Sequence, residues 1–481
     1  MESNSPWAIS VLDSRYYKHT HFLSQYLSEI ALNKFRIFVE IKYLITLCQG
    51  FPQNDFLPVL KGLPKLTKIQ IAKLNEIVDN FECFEFEELK KIEEMVNHDI
   101  KAAEYYIVDK INSLEVFNAD EKNRLTAAVH IFCTSEDINN LAYALSVKKT
   151  LKEIIIPKLE DLLAVLKPMI EQNKSKSLLS KTHGQSATPT TLGKELAVFY
   201  IRIIRVVKSI KNQEIFGKFN GATGTFSAHA LALGNFTTSD FSWIEFSEYF
   251  VENIIGLKYN LFTTQIESHD WQVGLYYKFI HLSGVLHNLS TDLWFYIARG
   301  IFVQKINESH AGSSTMPHKV NPILFENAEA NLEMAEGVFS VLSKSLVTTR
   351  LQRDLSDSSI QRNIASAYAY FLIAVENLRS GLTKLGVNDE VLDKELESNP
   401  AVLTEAVQTI MRLLVIAGDE NMKQGYEKLK NLVRGKNIKL SDLHKFLDKI
   451  SLPEKLKNNL QNLSPKNYSG LASRLAKLSL D

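Results

Sequence analysis

The 481-residue sequence is poor in cysteine, proline and glycine, and it carries no excess of either charge. Its three cysteines, Cys48, Cys83 and Cys133, form no CxxC pair, so we predict neither a disulfide framework nor a structural zinc site. Lysine plus arginine and aspartate plus glutamate both number 55, which argues against a general binder of nucleic acid or membrane surfaces. Neither a membrane-spanning apolar run nor a signal peptide is present. These absences predict a cytoplasmic protein.

Long stretches without proline predict long helices, because proline breaks the interior of a helix. Proline is absent from residues 65–156, 190–316 and 323–399. After Pro189, apolar residues recur at steps of three and four. This spacing predicts an amphipathic helix with Thr188 as its N-cap and Pro189 as its first residue.

Two further stretches, residues 281–300 and 321–346, also have the apolar pattern of helices. The sequence has no alternation of strands with helices and no internal repeat. We therefore predict a mostly α-helical protein built on a bundle of long helices. A more polar N-terminal part ends near residues 112–124, and a C-terminal part that becomes rich in lysine begins near residue 366.

Five segments concentrate polar residues where the helical pattern stops or begins. They are "NHDIKAAEYY" (97–106), "CTSEDINN" (133–140), "SKTHGQSATPTT" (180–191), "AGSSTMPHKVNP" (311–322) and "LQRDLSDSSIQRN" (351–363). Segments of this kind are either plain connectors between helices or loops that bind and react.

Residues 311–322 have the composition of a mobile loop beside a cationic clamp. Residues 311–313 are small, as in lids, whereas the two prolines of the segment restrict the backbone between them. Between those prolines, Lys319 offers a positive charge and Asn321 offers an amide. This arrangement suits an anionic substrate that is enclosed before it reacts. A serine-rich connector followed by a helix that starts at a proline is the simpler alternative.

Single residues in the other segments allow two interpretations each. His183 lies just before the predicted helix, whose N-terminus would attract anions, but an isolated histidine is more often a capping or packing residue. His98 is ambiguous in the same way. Arg353 and Arg362 could bind phosphate or carboxylate groups, or they could form surface ion pairs.

Several other chemistries are not supported by any motif. The stretch "GKFNGATGT" (217–225) has its glycines in the wrong order for a phosphate-binding loop. The sequence contains neither HExxH nor GxSxG, and its histidines lack the spacing of a zinc site. Nothing in it requires a metal or an organic cofactor.

The polar segments resemble, in order, the motifs of one protein family. "GSSTMPHKVNP" (312–322) resembles the signature loop of the fumarase/aspartase superfamily, whose members break C–N or C–O bonds and release fumarate. The histidine before the lysine looks like the adenylosuccinate lyase family. The other segments that are similar to its bacterial-type members are "DSRYY" (13–17), "NHDIKAAEYY", "CTSEDINNLAYAL" (133–145), "KTHGQSATPTTLGKE" (181–195), "TTQIESHD" (263–270) and "QRDLSDSSIQRN".

The resemblance implies an all-α fold of three domains around a long central helical bundle. It also implies a homotetramer in which each active site draws on three subunits, which would explain why the polar segments lie so far apart in sequence. We assign residues 1–118 to an N-terminal domain, 119–365 to the central bundle domain and 366–481 to a C-terminal domain. The implied partners are small-molecule substrates and further copies of the chain, without nucleic acid or membrane.

The implied reaction is β-elimination of fumarate from adenylosuccinate, giving AMP, and from SAICAR, giving AICAR, in purine nucleotide synthesis. By motif position, His183 matches the general acid and Ser313 matches the base on the mobile loop. Removing a proton next to a carboxylate leaves a carbanion, so fixed positive charge is needed there, and Lys319 and Asn321 match the residues that supply it. No metal or organic cofactor is implied.

The same matching assigns substrate binding to residues of several segments. These residues are Arg15, Tyr16, Asn97, His98, Asp99, Thr134, Ser135, Gln265, Lys319, Val320, Asn321, Asn327, Arg353, Ser358, Ser359, Ile360, Gln361 and Arg362.

Two alternatives to this function remain open. A sister enzyme of the superfamily, such as an argininosuccinate lyase, is disfavoured by the phosphate-suited segment 351–363 together with His318. A non-catalytic helical assembly is disfavoured because His183, Ser313 and Lys319 are all present.

Overall fold

The computed structural model describes residues 7–305, 316, 319–435 and 438–481, and these residues are predominantly helical. The α-helices among them are α1 (Tyr17–Thr20), α2 (Ser24–Leu27), α3 (Glu29–Gln49), α4 (Lys68–Asp79), α5 (Cys83–Val96), α6 (Asp99–Ser113), α7 (Ala119–Ala128), α8 (Ser135–Thr150), α9 (Ile156–Asn173), α10 (Leu192–Lys211), α11 (Ser227–Ala232), α12 (Trp243–Tyr249), α13 (Asp270–Ala298), α14 (Ile323–Leu346), α15 (Ser356–Gln361), α16 (Ile364–Thr383), α17 (Asp389–Glu397), α18 (Thr404–Ile416), α19 (Gly425–Val433), α20 (Leu440–Asp448), α21 (Glu454–Gln461) and α22 (Ala472–Leu478).

Short elements of other types join these helices. The strands of the described chain are β1 (Ser177–Leu178), β2 (Lys181–Thr182), β3 (Gln185–Ser186), β4 (Thr190–Thr191), β5 (Phe216–Gly217), β6 (Lys258–Tyr259), β7 (Phe302–Gln304) and β8 (Leu385–Val387). They form only two-stranded pairs there: β1–β4, β2–β3 and β7–β8 are antiparallel, and β5–β6 is parallel. The 3₁₀ segments are His21–Leu23, Pro52–Asn54, Pro400–Leu403 and Glu420–Met422, and the π-helical segments are Leu151–Ile155 and Phe250–Ile255.

The predicted all-α fold class is confirmed. The apolar pattern at residues 281–300 lies within the longer helix α13, and the pattern at 321–346 corresponds to α14, which begins directly after Pro322. Among the residues described, no helix combines the length and the apolar character needed to cross a membrane.

The predicted start of the helix after Pro189 is wrong. Helix α10 begins at Leu192, because the preceding residues pair with β1 as strand β4 and therefore stay extended. The side chain that caps the helix is consequently that of Thr191, whose Oγ1 accepts a hydrogen bond from the Lys194 N–H at 3.3 Å. Thr188 lies too early in the chain for that role.

The chain divides into two compact units, whose boundaries fall within helices α9, α10, α13, α14 and α16. The first unit contains residues 1–158, 207–283 and 331–373, and the second contains 159–206, 284–330 and 374–481. The division into three domains stays a prediction.

The first unit has an aromatic centre where α13, α14 and α16 pack together. Phe279 of α13 stacks on Phe339 of α14 with ring centroids 5.1 Å apart, and its ring makes edge contacts with Tyr368 and Phe371 of α16. All four side chains are buried. In the same unit, helices α3 to α7 enclose a second apolar core.

Replacing Phe279 with alanine is expected to lower the free energy of unfolding by about 3–5 kcal/mol, because the change leaves a cavity among three aromatic rings. Urea denaturation followed by circular dichroism measures the effect. The control is Phe262→Ala, since Phe262 is 90% exposed and its loss should cost less than about 0.5 kcal/mol. Similar losses for both variants would contradict the assignment of Phe279 to the core.

The second unit is held together by the same three long helices and by a C-terminal helical cluster. Ser290 of α13 donates to the carbonyl of Phe325 at 2.9 Å, and Asn377 of α16 donates to Asn327 Oδ1 at 2.6 Å. Strand β7 pairs with β8 in this unit. Helices α18 to α21 bury a separate apolar core that includes Leu447.

Candidate active site

A polar cleft of about 550 Å³ in the first unit brings together residues that were predicted from separate motifs. We call it the polar cleft, and its lining comprises Lys90, Glu93, Glu94, Asn97, His98, Asp99, Ser135, Asn139, Arg353, Leu355, Ser358, Ser359 and Arg362. Eight of these were predicted to bind substrate. They come from the junction of α5 with α6, from the start of α8, and from the segment that contains α15.

The junction between α5 and α6 is built by residues 97–99. Asn97 ends α5 in a left-handed conformation, with φ of 50°, and its N–H donates to the carbonyl of Glu93 at 2.7 Å. His98 then caps α6, because its Nδ1 accepts from the Lys101 N–H at 3.2 Å. That bond makes Nδ1 an acceptor, so the neutral ring carries its proton on Nε2. The side chain of His98 is half exposed at the cleft.

Asp99 is fixed by a buried arginine that the sequence analysis missed. Arg36 of α3 donates to Asp99 Oδ2 at 2.6 Å and to Asn139 Oδ1 at 2.9 Å, so it ties α6 to α8. Burial opposes ionisation of Asp99, but the Arg36 guanidinium and the Ile100 N–H lower the pKa of this carboxyl below its ordinary value. Asp99 is therefore an anion at neutral pH and not a proton donor.

The opposite part of the cleft is organised around Arg353. Its Nη2 lies 3.0 Å from Glu136 Oε1 and 3.2 Å from Ser358 Oγ. Burial raises the pKa of the Glu136 carboxyl above its ordinary value, although Arg353 acts against that rise. Burial also opposes ionisation of Asp357, yet His269 and Arg353 lower the pKa of that carboxyl. Arg353 is thus largely neutralised by its own neighbours.

Arg362 differs from Arg353 because it is exposed and has no ion-pair partner in the described part of the chain. Its positive charge is therefore available to an anion that enters the cleft. Arg362 also lines an adjoining pocket of about 400 Å³, to which Arg36, Asp99 and the predicted residue Gln361 contribute. Gln361 itself is buried, and its Oε1 accepts from Gln272 at 3.4 Å.

A buried ion pair lies behind the start of α8. Lys218 Nζ is 3.0 Å from Asp137 Oδ1, and both side chains are inaccessible to solvent, at 0% and 1% exposure. Asp137 Oδ2 accepts from the N–H of Thr134, and Lys218 Nζ donates to the carbonyl of Gln265 at 2.9 Å. Thr134 and Gln265 were predicted to bind substrate, whereas the sequence predicts no role for Lys218.

The remaining predicted residues of the first unit do not line the polar cleft. Arg15 is exposed in an N-terminal turn, and Tyr16 follows it as the residue before α1. Ile360 is half-buried on α15. None of these three residues is part of the cleft lining, although Ile360 directly follows the cleft residue Ser359 on α15.

His183 lies at the tip of an exposed hairpin in the second unit. Strands β2 and β3 pair through a two-residue turn in which His183 and Gly184 both have positive φ, of 52° and 75°. Two positive φ values in succession define a type I′ turn, and glycine at its second position adopts that conformation without strain. The histidine is thus presented by a tight turn, and not by a helix N-terminus as the sequence had indicated.

The signature loop is described only in its last part. Lys319, Val320 and Asn321 are exposed in the segment that precedes α14, where the carbonyl of Val320 accepts from Gln304 at 3.0 Å. Asn327 lies on α14 and accepts the bond from Asn377. Ser313 and His318 lie outside the described residues, so the assignment of Ser313 as base stays a prediction.

Solved structures of two other proteins share this fold. A fumarate lyase from Mesorhizobium sp. BNC1 has a TM-score of 0.71 over 96% of this chain and 97% of that chain, at 15% identity. The 3-carboxy-cis,cis-muconate lactonizing enzyme from Pseudomonas putida has a TM-score of 0.70 over 96% of each chain, at 16% identity. At such low identity these similarities show the fold alone.

Similarities in sequence identify the family, which the similarities in fold do not. The family model described as "Lyase" matches residues 15–337, and the model described as "Adenylosuccinate lyase C-terminal" matches residues 349–469. Adenylosuccinate lyase of Legionella pneumophila (strain Corby) is 40% identical over 470 residues, and that of Escherichia coli (strain K12) is 39% identical over 472 residues, with 98% of each chain covered in both comparisons. The chain therefore belongs to the adenylosuccinate lyase family of the fumarase/aspartase superfamily, a family of C–N lyases.

Proposed function

We propose that this chain cleaves adenylosuccinate to AMP and fumarate, and SAICAR to AICAR and fumarate. Both substrates carry a succinyl group on a nitrogen atom, together with a phosphate. In each case a base removes the proton from the succinyl carbon next to a carboxylate. The freed electron pair becomes the C=C bond of fumarate as the C–N bond breaks, and an acid protonates the departing nitrogen.

The observation that carries this proposal is the convergence of eight motif-predicted binding residues in the polar cleft. They are Asn97, His98, Asp99, Ser135, Arg353, Ser358, Ser359 and Arg362. Among them, the exposed guanidinium of Arg362 and the hydroxyls of Ser358 and Ser359 suit a phosphate or a carboxylate of the substrate. The fixed anion Asp99 suits hydroxyl or amino donors instead.

We assign the acid to His183 and the base to Ser313, by motif position. A serine hydroxyl is a weak base, so Ser313 requires donors that stabilise its alkoxide when the loop encloses the substrate. Lys319 and Asn321, which precede α14, supply the positive charge and amide donors that favour the carbanion. His183 is exposed on its hairpin, which leaves the imidazole accessible to a substrate.

We further propose that the active enzyme is a homotetramer whose sites combine residues of different copies. The support is that His183, Lys319 and Asn321 are all exposed in the single chain, where they are accessible to another copy. Homo-oligomers usually have closed symmetry, which places equivalent surfaces of the copies against one another. Residues of different copies can therefore meet in one site.

The test is to give the purified protein adenylosuccinate, SAICAR and argininosuccinate in parallel. Ultraviolet absorbance follows the first two, and chromatography identifies fumarate and the second product in all three. We expect turnover of the first two substrates only. Cleavage of argininosuccinate alone would replace the proposal with a sister enzyme, and no turnover by folded protein would favour a non-catalytic assembly.

A further inference from the structure

We infer that Lys218 and Asp137 form a positioning pair, which sets the start of α8 and the segment around Gln265 in the geometry that binds substrate. This inference rests on the proposed function, because it takes Thr134, Ser135 and Gln265 as substrate-binding residues. Neither member of the pair is assigned any contact with substrate.

The ammonium group of Lys218 is completely satisfied by three acceptors. Its Nζ lies 3.0 Å from Asp137 Oδ1, 2.9 Å from the carbonyl of Gly221 and 2.9 Å from the carbonyl of Gln265. An ammonium group has three protons, so each acceptor takes one. Lys218 therefore has no donor left for a ligand, and its role is to hold the backbone of other residues.

Asp137 makes the corresponding contacts toward α8 and the loop after β5. Its Oδ2 accepts from the N–H of Thr134 at 2.8 Å, which fixes the first turn of α8 and with it Ser135 of the polar cleft. Its Oδ1 also accepts from the N–H groups of Asn220 and Gly221 at 3.1 and 3.3 Å. One carboxylate thus orients two separate backbone segments.

Two more observations show that the loop after β5 lies directly against the segment before Gln265. The side chain of Asn220 donates to Thr263 Oγ1 at 2.7 Å. Gly224 has φ of 73°, and a Cβ atom there would lie only 2.3 Å from the carbonyl oxygen of Thr263. The two backbones are therefore in direct contact, so a shift of Lys218 would be transmitted to Gln265.

A buried ion pair is an expensive way to stabilise a core, since apolar residues of similar volume often do as well. Its directional bonds instead select one arrangement of the segments that it joins. A pair with a positioning role is therefore needed for the geometry of those segments, whereas a purely structural pair is needed only for stability. Removing both charges should allow folding, but the substrate-binding segments should lose their fixed geometry.

The decisive variant is Lys218→Met combined with Asp137→Asn, in the full chain. It leaves no unpaired buried charge, so its melting temperature should exceed that of Lys218→Met alone. With adenylosuccinate we expect the KM to rise by about tenfold or more and the kcat to stay within about threefold of wild type. Amide hydrogen exchange in peptides 133–140 and 262–268 should become faster. Lys42→Met, which removes a lysine bond to Asn75 in the same unit, should change none of these values.

A folded double variant with wild-type KM and wild-type exchange in both peptides would overturn the inference. If the double variant does not fold, Asp137→Glu serves, because it keeps the buried charges paired while its longer side chain moves the carboxylate away from the N–H of Thr134. The KM and the exchange of peptide 133–140 must then rise, and unchanged values contradict the inference. If wild type does not cleave adenylosuccinate, the proposed function fails, while the exchange measurement still decides the positioning role.

Discussion

Replacing Ser313 with alanine is expected to lower the kcat for adenylosuccinate by about 10²- to 10⁴-fold. The reason is that the hydroxyl is assigned to removing a proton, an interaction made only in the transition state. The KM should therefore stay within about threefold of the wild-type value. Steady-state kinetics with the purified variant measures both constants, and calorimetric titration with adenylosuccinate checks that the substrate still binds.

The matched control is the neighbouring Ser314→Ala, which makes the same chemical change one residue along the same loop. We expect this variant to keep most of its activity. Equal losses in both variants would mean that motif position does not distinguish the base from its neighbour. A nearly normal kcat for Ser313→Ala would remove Ser313 as the base.

The helices could be predicted from the sequence because their signals are local. The apolar pattern and the absence of proline identify α13 and α14 without any knowledge of their neighbours. The start of α10 could not be predicted in the same way. Residues 190–191 pair with β1, and that pairing keeps the backbone extended directly after Pro189, a residue that otherwise suits a first helical turn.

One part of the site, the junction of α5 with α6, could also be predicted from local signals. The segment at residues 97–99 interrupts two helical patterns, and the polar groups that end one helix and start the next also line the cleft. Arg36 gave a weaker signal, a charged residue within the mostly apolar stretch "FRIFVEIKYLITL". Its burial becomes interpretable only when its partners Asp99 and Asn139 are known, because they come from other helices.

Lys218 shows why the remainder could not be predicted. It lies within "GKFNGATGT" (217–225), a stretch whose glycine order excludes a phosphate-binding loop and which offers no other local function for the lysine. Besides the nearby carbonyl of Gly221, its partners are a carboxylate on α8 and a carbonyl before α13, and no periodicity in the sequence links these two positions to Lys218. Buried ion pairs of this kind are tertiary features, so a single sequence gives no spacing from which to deduce them.

Mixing His183→Ala chains with Ser313→Ala chains is expected to restore activity that neither variant has alone. If each site takes these two side chains from different copies, random assembly of an equal mixture leaves about a quarter of the sites with both groups intact. The activity should then rise from about 1% of wild type or less to about one quarter. Refolding the two variants together from denaturant, followed by the adenylosuccinate assay, measures the recovery.

The control mixture is chosen by the same count of sites that keep both side chains. Ser313→Ala chains mixed with the double variant His183→Ala/Ser313→Ala contain no intact Ser313, so no combination of copies can complete a site. That mixture must stay inactive under the conditions that restore the first one. Native mass spectrometry with a mass tag on one partner verifies that mixed assemblies have formed. Verified mixed assemblies without recovery would contradict a site that takes His183 and Ser313 from different copies.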